Sequence, residues 1–379
     1  MTRWTVLAAA ALLWSPSASA VTPPAYPRAA PPVPAAPGAT SGAPAVSDAP
    51  GARVDRPVRD PRLTEMSGLA VSPEYPGVLW THNDSGNPPV VYALGPDGAV
   101  VAAVRVRAVA DEDWEAIATY RDADGRAMIA VGDVGDNLAR RAGVQVVLLE
   151  EPPLRDATVT PRRVLRLRYP DGATDAETLL VDPEAGRMYV VTKGLGGAVY
   201  QVPTDVWPGS AHRTPRDEGT LVRIASVPLV LVTDGVMGPG HHPVLRTYGE
   251  IAVLPTITDD VVGGTLEPLA IAPLPAQRQG EGVTFDRGDA LLSSEGVGQP
   301  ILRLPLPAAL AAALGGTPAG GGDRPGAASA APTSRPPASP TSALARLTSW
   351  PVLATVALLA ATTGGLVGRR RRHRTPRRS

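Results

Sequence analysis

Carboxylates recur in this chain at corresponding points of a repeated phrase. An acidic or small polar residue opens a short apolar run in Ser67-Gly-Leu-Ala-Val, Glu115-Ala-Ile-Ala-Thr, Glu177-Thr-Leu-Leu-Val, Asp234-Gly-Val-Met-Gly and Glu281-Gly-Val-Thr-Phe. The richest acidic stretch is Asp111-Glu-Asp-Trp-Glu115, followed by Gly132-Asp-Val-Gly-Asp-Asn137. Carboxylates packed together repel and resist ionisation unless positive charge sits among them. A hard cation with oxygen ligands supplies it, and Ca²⁺ takes about six to eight such ligands. Glu115, Asp133, Asp136, Glu177 and Glu281 are the candidate ligands, with Asp84, Asn137 and Glu295 as further ligand-binding positions. The competing reading is that these acids cap turns and accept backbone N–H groups.

Lys193 and Arg246 each end an apolar run, in Thr192-Lys193-Gly194 and Leu245-Arg246-Thr247. Beside a cation they suit an anionic substrate, a phosphate or carboxylate, which Arg grips with two parallel hydrogen bonds. The alternative is an ion pair with one of the repeated glutamates. His82, in Thr-His-Asn-Asp-Ser-Gly86, is the candidate general base or ligand, set against a hydrogen-bonded structural histidine. His241-His242 lies in a Gly/Pro turn, which predicts a solvated pair. No GxSxG elbow, Walker loop or HExxH occurs, so the common hydrolase, nucleotide and zinc-protease signatures are absent.

The net charge is formally zero, but it is unevenly spread. Seven arginines follow Gly368 and one lies near the start, which leaves 28 basic and 36 acidic residues for the rest. That acidic balance disfavours nucleic acid and suits cations. With no cysteine there is no disulfide, no thiolate nucleophile and no Cys-based zinc site.

Residues 1–20 read as a signal peptide: Arg3, an apolar stretch from Val6, then Ala18-Ser19-Ala20. Residues 21–55 are Pro/Ala/Gly-rich and lack the hydrophobic bulk for a core, as are 313–346, so both read as disordered linkers. Residues 347–368 form an uncharged apolar stretch long enough to cross a bilayer. The basic tail 369–379 marks its cytoplasmic side. The expected protein is therefore exported, anchored by one C-terminal span, with its body outside and monomeric.

That body, residues 56–312, consists of short runs rich in strand formers, such as Val78-Leu-Trp-Thr, Met128-Ile-Ala-Val and Met188-Tyr-Val-Val. Turn signals such as Pro96-Asp97-Gly98 and Asp286-Arg-Gly288 separate them. No helix of twelve or more residues is indicated. The repeated phrases start 48, 62, 57 and 47 residues apart. Such spacing marks the blades of an all-β propeller, a ring of about four-stranded sheets around a channel. Five units are visible. The two long steps leave room for a sixth, near Arg162–Tyr169 or Leu221–Val232, and six blades are expected with five as the alternative. In such a ring the first strand of each blade lines the channel, so the repeated acids converge on the axis.

Asp113-Trp-Glu-Ala-Ile-Ala118, Gly132-Asp-Val-Gly-Asp-Asn137, Thr233-Asp-Gly235 and Gln279-Gly-Glu-Gly-Val283 together resemble a group of bacterial secreted β-propeller proteins over residues 60–307. Strand starts such as Ala176-Glu-Thr-Leu are more distantly similar to phytase-like and esterase-like propellers. The resemblance implies a propeller fold, acids on Ca²⁺ and basic residues on phosphate. Two functions are therefore expected: a surface-displayed propeller that binds an anionic small molecule or an extracellular protein through its loop face, or a calcium-dependent phosphoesterase or esterase.

Overall fold

A computed structural model describes residues 51–107, 109, 113–207 and 215–315. The expected signal peptide, membrane span and basic tail, most of both linkers, and Asp111, Glu112 and His212 lie outside the described residues.

Among the described residues, twenty-three strands form five sheets. After β1 (Arg53–Arg56), the first blade is β2 (Met66–Val71), β3 (Leu79–Asn83), β4 (Val90–Leu94) and β5 (Val100–Val106). The second is β6 (Trp114–Arg121), β7 (Ala127–Asp133), β8 (Val144–Glu150) and, after β9 (Ala157–Val159), β10 (Arg163–Arg168). The third is β11 (Ala176–Asp182), β12 (Arg187–Thr192), β13 (Gly197–Gln201) and, after β14 (Glu218–Thr220), β15 (Val222–Val227). The fourth is β16 (Val232–Met237), β17 (Pro243–Thr247), β18 (Glu250–Val253) and, after β19 (Gly264–Thr265), β20 (Ala270–Pro273). The fifth is β21 (Gly280–Asp286), β22 (Asp289–Ser294) and β23 (Ile301–Pro305), completed by β1 from the other end of the domain. One short helix, α1 (Ala308–Ala313), follows and packs on β18 and β20.

The all-β propeller expected from the repeat is the fold, but it has five blades, the alternative count, rather than the six expected. The segments proposed for a sixth blade are the outer strands β10 and β15. The long steps have a different cause. Each carries an insertion that reaches back and pairs in parallel with the outer strand of the preceding blade: β9 with β5, and β14 with β10. The insertion holding β19, in the fourth blade, does the same to β15. The extra residues cover sheet edges that would otherwise stand open.

Alternating apolar faces along these strands pack blade on blade, and the core is split accordingly. Five hydrophobic clusters lie one at each junction between neighbouring blades, such as Trp80, Val91, Ile129 and Val131 between the first and second. The junction of fifth and first blades, with Leu69, Leu79, Leu291 and Ile301, closes the ring. Without disulfides, closure rests on β1. Arg53 and Val54, inside the span expected as linker, pair with β23. Buried Arg303 bonds Asp55 at 2.7 Å and Asp286 at 2.6 Å, while Arg56 donates to Gly77 and Gly95 of the first blade at 2.9 and 3.0 Å.

Candidate functional site

The first two strands of every blade shift register at one place: between Met66 and Leu69, Trp114 and Ala116, Ala176 and Thr178, Val232 and Asp234, and Gly280 and Val283. A bulge bends its strand and re-aims a side chain. The residues at these bulges are Ser67, Glu115, Glu177, Thr233 and Glu281. The repeat thus sets a polar residue at the axial end of each first strand, and in the fourth blade that residue is Thr233, one position before the Asp234 of the sequence reading. Two of the hydroxyls do the same job. Ser67 donates to the Glu115 carbonyl at 3.0 Å, and Thr233 to the carbonyls of Gly280 and Glu281 at 3.1 and 3.2 Å. Asp234 instead accepts the Val283 N–H at 2.8 Å and braces the fourth blade against the fifth.

The second strands end at the same level, and the residues just beyond them are Asp84, Val134, Lys193, Tyr248 and Glu295. Asp84 joins Asp113 and Glu115, with one ligand atom of each within 4.8 Å of the others. Asp113 and Glu115 are buried, and Asp113 Oδ1 has no hydrogen-bond partner. Among the described residues no ion pair reaches any of the three. Burial pushes the Asp113 carboxyl up to about 7, helped by the charge of Asp84, and lifts Glu115 well above the usual carboxylate range. Gly135 makes this crowding possible, because a Cβ there would lie 2.6 Å from the Asp113 carboxyl carbon and 2.7 Å from Glu115 Cγ.

Across the mouth, the Lys193 ammonium pairs with Glu177 and sits over the Tyr248 ring, 5.5 Å from its centroid. Burial works against its charge, but Glu177, Tyr248 and Glu281 outweigh that and hold it protonated. Glu281 rises to about 7, mainly through burial and against the pull of Lys193 and Arg246. Glu295 rises to about 8 through burial and the charge of Glu281.

Asp133 and Asp136 stand outside these groups. Asp133 accepts from Arg141 at 2.8 Å, Gln145 at 2.6 Å and the Asp113 N–H at 3.0 Å, so it positions the backbone of Asp113. Asp136 accepts the N–H groups of Arg140 and Arg141, both at 2.7 Å, and shapes a turn. Asn137 is exposed on that turn. Arg246 is fully buried and donates to the carbonyls of Gly282 and Ser293 at 2.8 and 3.3 Å and to Gln277 at 3.2 Å. Burial lowers its pKa to about 10. It acts as a strut between the fourth and fifth blades. His82 is also fully buried, bonded through Nδ1 to the Asn83 carbonyl at 3.0 Å and edge-on to Trp114. Burial pushes its pKa down to about 4.

Asp113 and Tyr248 are the members the candidate set left out. The signal for Asp113 was its place two residues before Glu115 in the densest acidic stretch. Tyr248 carries no comparable signal, because its role depends on Lys193 in a different blade.

No family model matches the chain, and no curated protein matches it. The solved structures it resembles include a gluconolactonase from Xanthomonas campestris described as important in glucose secondary metabolic pathways, at 18% identity, with 67% of this chain and 88% of that chain covered and a TM-score of 0.34. Virginiamycin B lyase from Staphylococcus aureus matches at 9% identity over 67% of this chain and 99% of its own, with a TM-score of 0.38.

Proposed function

We propose that this propeller, displayed outside the cell on a single C-terminal membrane span, binds a divalent cation at the axial end where its first strands begin. Through that cation it takes up a small anionic ligand. Asp84, Asp113 and Glu115 hold the ion. The observation that carries the reading is the approach of these three carboxyl groups to within 4.8 Å, with Asp113 Oδ1 buried and unpartnered. Oxygen-only ligands favour Ca²⁺ over softer metals. The bound ion would turn a repulsive cluster into a positive centre for a carboxylate or phosphate. Nothing in the acidic balance of the domain suits nucleic acid.

Calorimetric titration of the purified, EDTA-treated protein with Ca²⁺ tests this. Saturable binding with a raised melting temperature is expected, and both effects should vanish in Glu115→Gln and Asp113→Asn. No heat and no change in melting would overturn the reading.

A hydrolytic second reading draws on a separate observation. Glu281 and Glu295, both within the influence of the Lys193 charge, are raised to about 7 and about 8, which suits general acid and base work. Release of phosphate or nitrophenol from generic esters, dependent on Ca²⁺ and lost in Glu281→Gln, would establish it. Calcium binding without turnover leaves the binding protein.

A further inference from the structure

The opposite end of the propeller carries a second group of potential ligands, of different chemistry. Asp182 ends β11, five positions after Glu177 near its start, so about 17 Å of extended chain separates the two. The β16–β17 connection brings His241 against it. His241 Nδ1 lies 2.7 Å from Asp182 Oδ2, while Asp182 Oδ1 accepts the Ala185 N–H at 2.9 Å. Asp182 is buried, so both its oxygens are committed and the imidazole is fixed. On the other side of the ring, Nε2 lies 3.5 Å from Glu184 Oε2. Glu184 is 83% exposed at its side chain and free to adjust. The pair opens on a cleft of about 390 Å³ with Tyr189, Met237 and Ile257 in its wall.

This arrangement matches one half of a metal site. A metal-bound histidine usually donates its other ring N–H to a carboxylate, which fixes the tautomer and raises the basicity of the ligating nitrogen. With Asp182 on Nδ1, that nitrogen is Nε2. Two ligands about 2.0–2.1 Å from a tetrahedral ion stand roughly 3.3 Å apart, close to the 3.5 Å between Nε2 and Glu184 Oε2. We propose that His241 Nε2 and the Glu184 carboxylate hold a borderline divalent ion of the zinc, copper or nickel class, oriented by Asp182, with its remaining positions open to water or ligand in the cleft. Imidazole nitrogen selects such ions over Ca²⁺. This site is therefore distinct from the carboxylate mouth in both place and preference, and it does not depend on the calcium reading.

The probe is Cu²⁺ added to the full chain with Ca²⁺ in excess, followed by electron paramagnetic resonance. The expected result is one tightly held Cu²⁺ with hyperfine coupling to a single imidazole nitrogen, displaced by Zn²⁺. His241→Gln should abolish the coupling, and His242→Gln should leave it. Glu184→Gln alters an exposed side chain that the fold does not need, and should weaken Cu²⁺ binding at least about tenfold. Asp182→Asn should weaken it by about ten- to a hundredfold. A parent protein without nitrogen-coupled Cu²⁺ overturns the site, as does coupling that persists in His241→Gln or affinity unchanged in Glu184→Gln.

Discussion

Glu177 and Glu281 share a half of the axial mouth with Lys193 and Arg246, whereas Glu115, at the same repeat position, shares its half with Asp84 and Asp113. On the first side the chain supplies its own positive charge. Lys193, the only lysine in the sequence, is spent on Glu177. On the second side no ion pair forms among the described residues, and burial with mutual repulsion raises the carboxyl pKas, that of Asp113 to about 7. The same bulge in the same ring thus yields a closed structural pair on one side and an open acidic pocket on the other. What decides between them is the residue just past the second strand: Lys193 in the third blade, Asp84 in the first. The acid supplied by the repeat is only half of each arrangement.

The largest expected effect comes from opening the closed side. Lys193→Met leaves Glu177 buried without its partner and should cost about 3–5 kcal/mol in urea unfolding. Adding Glu177→Gln should recover most of that loss. A Lys193→Met penalty below about 1 kcal/mol would mean that the pair contributes little and the two sides are alike.

Next comes the open side. Glu115→Gln removes a buried repulsion, so in EDTA it should leave stability unchanged or raise it. It should also remove the calcium-dependent gain, about 2.7 kcal/mol when free Ca²⁺ is about a hundredfold above its Kd. A large loss in EDTA would show that Glu115 is a structural acid like Glu177.

The pH dependence separates the sides more finely. Folding raises the Asp113 pKa from 3.8 to about 7. Between those values the folded chain holds a proton that the unfolded chain has lost, so this group's contribution is full below about pH 4 and declines until pH 7. Compared with the parent in EDTA, Asp113→Asn should therefore gain stability from pH 4 to 7 and stay level above. Ca²⁺ binds the ionised form, so its uptake should release a proton near pH 7, measurable as a buffer-dependent heat. A pH-independent difference between the two proteins would remove Asp113 from the site.

The strands, turns and ring order were legible because each blade repeats one polar-then-apolar phrase, whose continuous apolar runs become inner strands buried on both faces. The blade number was harder to read, because β9 and β14 lengthen two steps without adding a blade. The acids of the first strands were legible as a set. The separation of Asp133 and Asp136 from Asp113 was not, since it depends on which backbone N–H groups and arginines each carboxylate meets after folding. His241 read as a solvated turn residue for the same reason: its partner, Asp182, lies in another blade 59 residues away.

The smallest expected effect tests the register itself. Thr233 and Ser67 occupy the bulge without a carboxyl group, and each hydroxyl ties its first strand to the next blade's backbone. Thr233→Val keeps the shape and removes the bond, so it should cost about 1 kcal/mol, the usual worth of one hydrogen bond with a buried carbonyl left behind. Calcium affinity should not change, because the Thr233 hydroxyl bonds backbone carbonyls of the fifth blade. Asp234→Asn should behave differently. Its Oδ2 accepts from Val283 and its Oδ1 is buried without a partner, so the amide places an N–H₂ where no acceptor waits. A Thr233→Val variant as stable as the parent, with weakened calcium binding, would add Thr233 to the ligand set and make the fourth blade part of the open side.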